Sequence, residues 1–136
     1  PSNLNKTYIL ELLKKGIVPV ISPLGYDKLG NTYNINADTA AGYVAEKLKA
    51  ERLILLTDVV GVLDNKKKLI AALNEKKASK FIKNGTIKGG MLPKIKTCFN
   101  IIKKGVKGVV IIDGRNPNAT ILELFTKKGA GTLISK

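Results

Sequence analysis

The chain has 136 residues, 44% of them apolar, and a formal net charge of +14. That length suits one compact domain able to bury a real core, and the composition argues against disorder. No apolar run approaches the ~18 residues of a membrane span; with one cysteine (Cys98) and no histidine, a disulfide within the chain and a histidine base are excluded and a zinc site is disfavoured.

The N-terminus, Pro1-Ser2-Asn3-Leu4, has no basic leader and no methionine, which suggests a processed, trimmed or engineered start. Residues 4–15 read as an amphipathic helix with Leu4, Tyr8, Leu12 and Leu13 toward one side, ended by Gly16. Ile17-Val18-Pro19-Val20-Ile21 reads as a short buried strand, although Pro19 weakens that reading. Residues 25–33 suggest a small hairpin turning around Lys28–Gly30. Residues 37–49 carry one apolar stripe, Ala37, Ala41, Val44, Ala45 and Leu48, with small residues that allow close packing on a sheet. Arg52 to Thr57 is a continuous apolar strand of the kind buried on both faces.

Two helices follow, at about 74–84 and 91–104; the second has Leu92, Ile95, Phe99 and Ile102 on one face and Gly105 behind it. Val109 to Ile112 is a second fully apolar strand. Residues 118–127 suggest a helix with Ile121, Leu122 and Phe125 inward, and Thr132 to Ser135 a last strand. Strands separated by helices imply an α/β fold: a mainly parallel sheet covered on both faces, hence three layers, αβα. Ligands of such sheets bind at the carboxyl ends of the strands, so the loops after Ile21, Thr57 and Ile112 are the places to look.

Three clusters carry chemistry. In Asn34-Ile35-Asn36-Ala37-Asp38, two amides and a carboxylate meet at a helix start. Asn36 suits a cap and Asp38 the positive helix end, but one cap needs one polar residue, which leaves Asn34 free to point into a cleft. In Thr57-Asp58-Val59-Val60-Gly61-Val62-Leu63-Asp64, a strand exit contains a glycine that lets backbone amides face a ligand; a plain polar exit is the simpler alternative. In Lys88-Gly89-Gly90-Met91-Leu92-Pro93-Lys94, bare amides at a helix start and a nearby ammonium favour phosphate oxygens; a flexible turn beside a surface lysine is the alternative. Neither a Gly-x-x-x-x-Gly-Lys-Ser/Thr loop nor a Gly-x-Gly-x-x-Gly occurs. Between Lys66 and Lys107 there are 13 lysines against one acid, Glu75. This segment should attract polyanions, either a nucleotide or nucleic acid, if it is not simply a solvated helical face.

Taken in order, these strings resemble the acetylglutamate kinases of the amino acid kinase family. Thr32 to Ala41 is similar to their substrate-side signature, Leu55 to Leu63 to their nucleotide loop, and Gly89 to Lys94 to their catalytic-lysine motif. Ile111 to Arg115, Leu122 to Thr126 and Gly129 to Thr132 complete the match. The resemblance implies that Asn34, with Asn36 beside it, contacts the acetylglutamate backbone, that Asp38 orients catalytic lysines, and that Lys94 neutralises charge on the transferring phosphoryl group. It implies that Thr57, Asp58, Val59, Val60, Gly61, Val62 and Leu63, together with Thr86, Ile87, Lys88, Gly89, Gly90 and Met91, wall an ATP site, and that Mg²⁺ accompanies ATP. The implied reaction moves the γ-phosphoryl directly to an already ionised side-chain carboxylate, on the arginine pathway, in the cytoplasm or plastid stroma. The implied partners are the nucleotide and N-acetylglutamate, with homo-oligomers admitted, nucleic acid the weaker alternative and no membrane. A whole enzyme of this kind is about twice as long. Its first half carries a Lys-x-Gly-Gly, another Gly-Gly pair and a substrate-gripping arginine, none of which occurs here, so the expectation is the C-terminal, ATP-binding half, inactive alone.

Overall fold

The computed structural model describes residues 1–136. Helix α1 (Lys6–Lys14) starts at Asn5, whose side chain accepts from the Tyr8 amide. Strands β1 (Leu24–Tyr26) and β2 (Thr32–Asn34) pair antiparallel as the expected hairpin. Asp27 ties its turn, accepting from the Leu29 and Asn31 amides, the Asn31 carboxamide and the Tyr33 hydroxyl. Helix α2 (Ala37–Leu48) leads to β3 (Arg52–Thr57), and β4 (Ala72–Leu73) precedes α3 (Glu75–Lys83) and α4 (Met91–Lys103). The chain closes with β5 (Gly108–Asp113), α5 (Ala119–Phe125) and β6 (Thr132–Ile134).

The main sheet has the order β3-β5-β6-β4. β3 with β5 and β4 with β6 run parallel, while β5 with β6 runs antiparallel, so the sheet is mainly parallel as expected. Alternation along β5 makes the layers, because successive side chains leave opposite faces of a strand. Val109 and Ile111 join the larger core with Ala45 of α2, Ala78 of α3 and Ile95, Cys98 and Ile102 of α4. Val110 and Ile112 face the other way and pack with Ala119 of α5. The result is helix, sheet, helix. α2 and α4 cross closely at Gly42, where a Cβ would meet the Ile101 Cδ1 at 2.5 Å.

Four expectations need correction. Ile17–Ile21 is neither buried nor a strand: it has no strand partner, and Val18 and Val20 are 81% and 97% exposed. β3 is only partly buried: Leu55 joins the larger core and Ile54 packs on the smaller one, but the strand lies at the sheet edge and Leu56 is 58% exposed. α5 turns a different side inward: Ala119 and Glu123 are buried, whereas Ile121, Leu122 and Phe125 are exposed. Glu123 is held there by Arg52 Nη1 at 3.4 Å and by the Ala130 amide at 2.8 Å, so an ion pair overrides apolar spacing. In α1 the buried residue is Ile9, not the expected leucine face.

Candidate functional site at the carboxyl ends of the strands

The two helix starts singled out in the sequence meet in space. Lys94, in the first turn of α4, places its Nζ 2.6 Å from Asp38 Oδ2, in the first turn of α2. The residues are 56 positions apart and part-buried, with side-chain exposures of 21% and 33%. An ion pair this accessible contributes on the order of 1 kcal/mol or less to stability. Its larger consequence is geometric: the ammonium is held at the point where two positive helix ends converge.

The start of α4 is open. Gly90 occupies the cap position without a side-chain bond, and Gly89 has a φ of 55° with nothing near its would-be Cβ. Helix-start amides left without a cap are ready donors for an anion. Lys88 is exposed and Met91 half-buried beside them. Asn36 does what a cap does: its Oδ1 accepts from the Thr39 amide at 3.1 Å and the Thr39 hydroxyl at 3.3 Å. Its neighbour Asn34, at the end of β2, is exposed and makes no side-chain bond. Both carboxamides therefore remain near the Asp38 helix end, Asn34 entirely uncommitted.

The 57–63 loop leaves β3 at its carboxyl end. Thr57 Oγ1 donates to Asp58 Oδ1 at 3.2 Å, and Asp58, Val59 and Val60 are exposed. Gly61 adopts a φ of 135°, a conformation that side chains resist, and a Cβ there would press on Thr132 Oγ1 and Leu69. Val62 turns back into the core. Its amide donates to Thr132 Oγ1 at 2.8 Å, and its carbonyl accepts from the Ile70 amide. Leu63 bridges to Leu69. The backbone is thus fixed on one side while the loop tip faces solvent. Ile87 is likewise a core residue, so within both loops the exposed and half-buried residues, not Val62 or Ile87, present side chains outward.

Of four further partners, Asn65 escaped the sequence reading, and Thr132, Asp113 and Arg115 entered it only within the strings of the resemblance. Thr132 anchors the 57–63 loop from β6; the Gly129–Thr132 string was noticed only as part of the resemblance. Asn65 accepts from the Thr86 hydroxyl at 2.8 Å, tying the turn after the loop to the segment before α4. Asp113 and Arg115 lie at the exit of β5, the strand beside β3. The Gly114 amide donates to the Thr57 carbonyl at 2.8 Å, and Arg115 forks onto Asp113 through Nε and Nη2 at 2.9 and 2.8 Å. The guanidinium holds the Asp113 carboxyl down at about 2, and Asp58 adds to the upward shift of Arg115. Below the site, burial pushes the Cys98 thiol up to about 12, so it stays protonated and no nucleophile lies there.

No group of three or more Asp, Glu, Cys or His residues gathers anywhere to cage a metal ion. Exposed Asp58 at the end of β3 fits Mg²⁺ held by one carboxylate and the phosphates of a nucleotide, whereas Asp113, at the end of the adjacent β5, is taken up by Arg115.

Comparison with known proteins gives the family and the fold. The family model described as "Amino acid kinase family" matches residues 2–113. An acetylglutamate kinase of Pelagibacter ubique is 53% identical over 134 residues, 98% of this chain and 46% of that protein. One from Nitrobacter hamburgensis is 54% identical over 136 residues, again 46% of its length. The chain thus spans about half the length of the curated relatives it matches. Among solved structures, N-acetylglutamate synthase from Neisseria gonorrhoeae, complexed with coenzyme A and L-arginine, superposes with a TM-score of 0.90 at 28% identity over 98% of this chain and 31% of that one. Carbamate kinase from Giardia lamblia bound to AMP-PNP shares the fold, with a TM-score of 0.68 and 21% identity over all of this chain and 46% of that one. With the family model covering most of the residues, the chain belongs to the amino acid kinase family.

Proposed function

We propose that this chain supplies the nucleotide-binding part of an acetylglutamate kinase, which moves the γ-phosphoryl of ATP to the side-chain carboxylate of N-acetylglutamate. The observation that carries this reading is the 2.6 Å contact between Lys94 and Asp38, which unites the phosphate-facing turn with the Asn34–Asp38 string. In the proposed reaction a carboxylate oxygen bonds to the γ-phosphorus and the bond to the β–γ bridging oxygen breaks, releasing ADP. The acceptor is already ionised, so no general base is needed and positioning and positive charge do the catalysis. Lys94 neutralises charge on the transferring group. Asp38 orients Lys94, and Asn34, with the free amide of Asn36, faces the acetylglutamate backbone. The exposed residues of 57–63 and 86–91 line the ATP, with Lys88, Gly89 and Gly90 nearest its phosphates. Mg²⁺, when bound with the nucleotide, would draw on Asp58 and neutralise phosphate charge. No helix in the protein is long and apolar enough to cross a membrane.

Lys94→Ala is the test. Binding of an ATP analogue with an intact γ-phosphate should weaken about tenfold, the size of one lost charge-assisted bond. ADP binding should change little, and Lys66→Ala or Lys76→Ala should leave both nucleotides unaffected. Equal effects of all three substitutions on both nucleotides would make Lys94 one more surface charge.

A further inference from the structure

The hairpin β1–β2 takes no part in the reaction proposed above, yet it ends on Asn34. Its two strands form a sheet of their own, joined to no strand of the main sheet. A two-stranded hairpin is marginal in water unless something else holds it. Here one side chain gathers the bonds. Asp27 Oδ1 accepts from the Leu29 amide at 2.8 Å and the Asn31 amide at 3.0 Å, and Oδ2 accepts from the Asn31 carboxamide at 2.8 Å and the Tyr33 hydroxyl at 3.0 Å. The two amide bonds are enough to shape a turn. The bond from Tyr33 does something else, because it ties the turn to β2 at the residue just before Asn34.

Successive side chains leave opposite faces of a strand, so the hairpin has two unlike faces. On one, Tyr33 stands opposite Gly25, and Ile35 closes over the same glycine: a Cβ there would come within 2.8 Å of Ile35 Cδ1. The Ile35 amide also donates to the Pro23 carbonyl at 2.8 Å and shuts the base of the hairpin. Tyr33 and Ile35, on either side of Asn34 in the chain, are thus both fixed on that face. Asn34 is left on the other, across from Leu24. Its carboxamide is exposed and unbonded, so its placement depends on the backbone alone. From the far side the string is held by the Asn36 cap of α2.

We propose that Asp27 is a positioning residue for the acceptor: through Tyr33 it locks one face of the hairpin and so aims Asn34, on the other face, at the site beside Asp38 and Lys94. The proposal rests on the function proposed above, in which Asn34 faces the acetylglutamate backbone. Asp27 itself touches neither substrate. A hairpin freed to turn on its base swings Asn34 away from the acceptor and leaves the nucleotide side, built on other loops, undisturbed.

Two measurements test it. In residues 1–136 alone, Asp27→Ala should speed amide exchange at Ile35 by at least about tenfold, while Lys28→Ala, in the same turn but outside the lock, should not. The second uses a chimera that carries residues 1–136 in place of the matching part of the Pelagibacter ubique relative. There Asp27→Ala should raise KM for N-acetylglutamate about tenfold, the scale of one substrate hydrogen bond. KM for ATP and the thermal midpoint should stay as they are, a split that general loss of structure would not give. Tyr33→Phe, which removes only the hydroxyl, should shift the same KM in the same direction by about threefold, and the double variant should be no worse than Asp27→Ala. Unchanged Ile35 exchange, an unchanged KM for acetylglutamate or equal rises in both KM values overturns the proposal. So does a double variant whose losses multiply, since Tyr33 would then act apart from Asp27. A chimera without acetylglutamate-dependent ADP release would contradict the proposed function instead, and Ile35 exchange would then decide the lock by itself.

Discussion

A protein consisting of residues 1–136 alone is expected to release no measurable ADP when supplied with ATP, Mg²⁺ and N-acetylglutamate. In the proposed site Lys94 is the one lysine held against Asp38, and the acceptor side offers only Asn34 and Asn36. Nothing in the structure grips a substrate carboxylate from the opposite side: the two arginines are engaged elsewhere, Arg52 with Glu123 and Arg115 with Asp113. In-line transfer needs the acceptor oxygen held against the γ-phosphorus. Correct positioning is worth roughly 10⁵–10⁸ M in effective concentration, so losing it takes the rate below detection. A coupled assay for ADP, with and without acetylglutamate, measures this. Robust acetylglutamate-dependent release would mean that the acceptor site is already complete in this chain.

The largest stability effect is expected at Gly131. This buried glycine lies just before β6, and a Cβ there would overlap the carbonyl oxygen of Ile111 and come within 2.6 Å of Ile112 Cγ2. β5 cannot yield, because its outer neighbours β3 and β6 hold it on both edges and its side chains fill both cores. Gly131→Ala should therefore cost about 3 kcal/mol or more, the upper range for overpacking against a rigid strand. The damage should reach the candidate site as well. Thr132 is the next residue, and its hydroxyl fixes the Val62 amide behind the 57–63 loop. Gly90→Ala, where a Cβ meets nothing, is the control and should leave stability close to unchanged. Urea unfolding of the two variants compares them; a loss below about 1 kcal/mol for Gly131→Ala would show that β6 can shift away from β5.

Much of the fold was legible because local signals and tertiary packing agree. The strand at Arg52–Thr57 has the bounds that its apolar run predicted, and the helices over 75–83 and 91–103 lie within a residue or so of expectation. The Asn36 cap and the hairpin tied by Asp27 follow from side chains that bond their own backbone. What failed was burial, because burial depends on neighbours that a local pattern does not contain. Ile17–Ile21 has the composition of a core strand but no partner among these residues. β3 reads as doubly covered, yet it lies at an edge. α5 shows three large apolar residues to solvent because Glu123, an acid that apolar periodicity places outside, is drawn in by Arg52 and the Ala130 amide. β4 is two residues long, too short to leave a pattern. At the candidate site, the motifs with unusual chemistry at helix starts were visible, and so were both members of the Asp38–Lys94 pair, through the resemblance. Asn65 was not, and Thr132 and Arg115 were visible only within the strings of the resemblance, since an anchoring hydroxyl, amide or guanidinium looks in sequence like any other polar surface residue.

The central claim is that the turn before α4 and the loop after β3 form a nucleotide site, and calorimetry of the chain with ATP and with inorganic tripolyphosphate, at two salt concentrations, tests it most directly. A lysine-rich surface holds any polyanion, and that binding falls steeply as salt rises. A site with walls for the base holds ATP in preference, and the preference survives added salt because adenine contacts are not ionic. The account predicts weak ATP binding that exceeds tripolyphosphate binding at both salt concentrations. Equal affinities for the two ligands, lost together as salt rises, would contradict it.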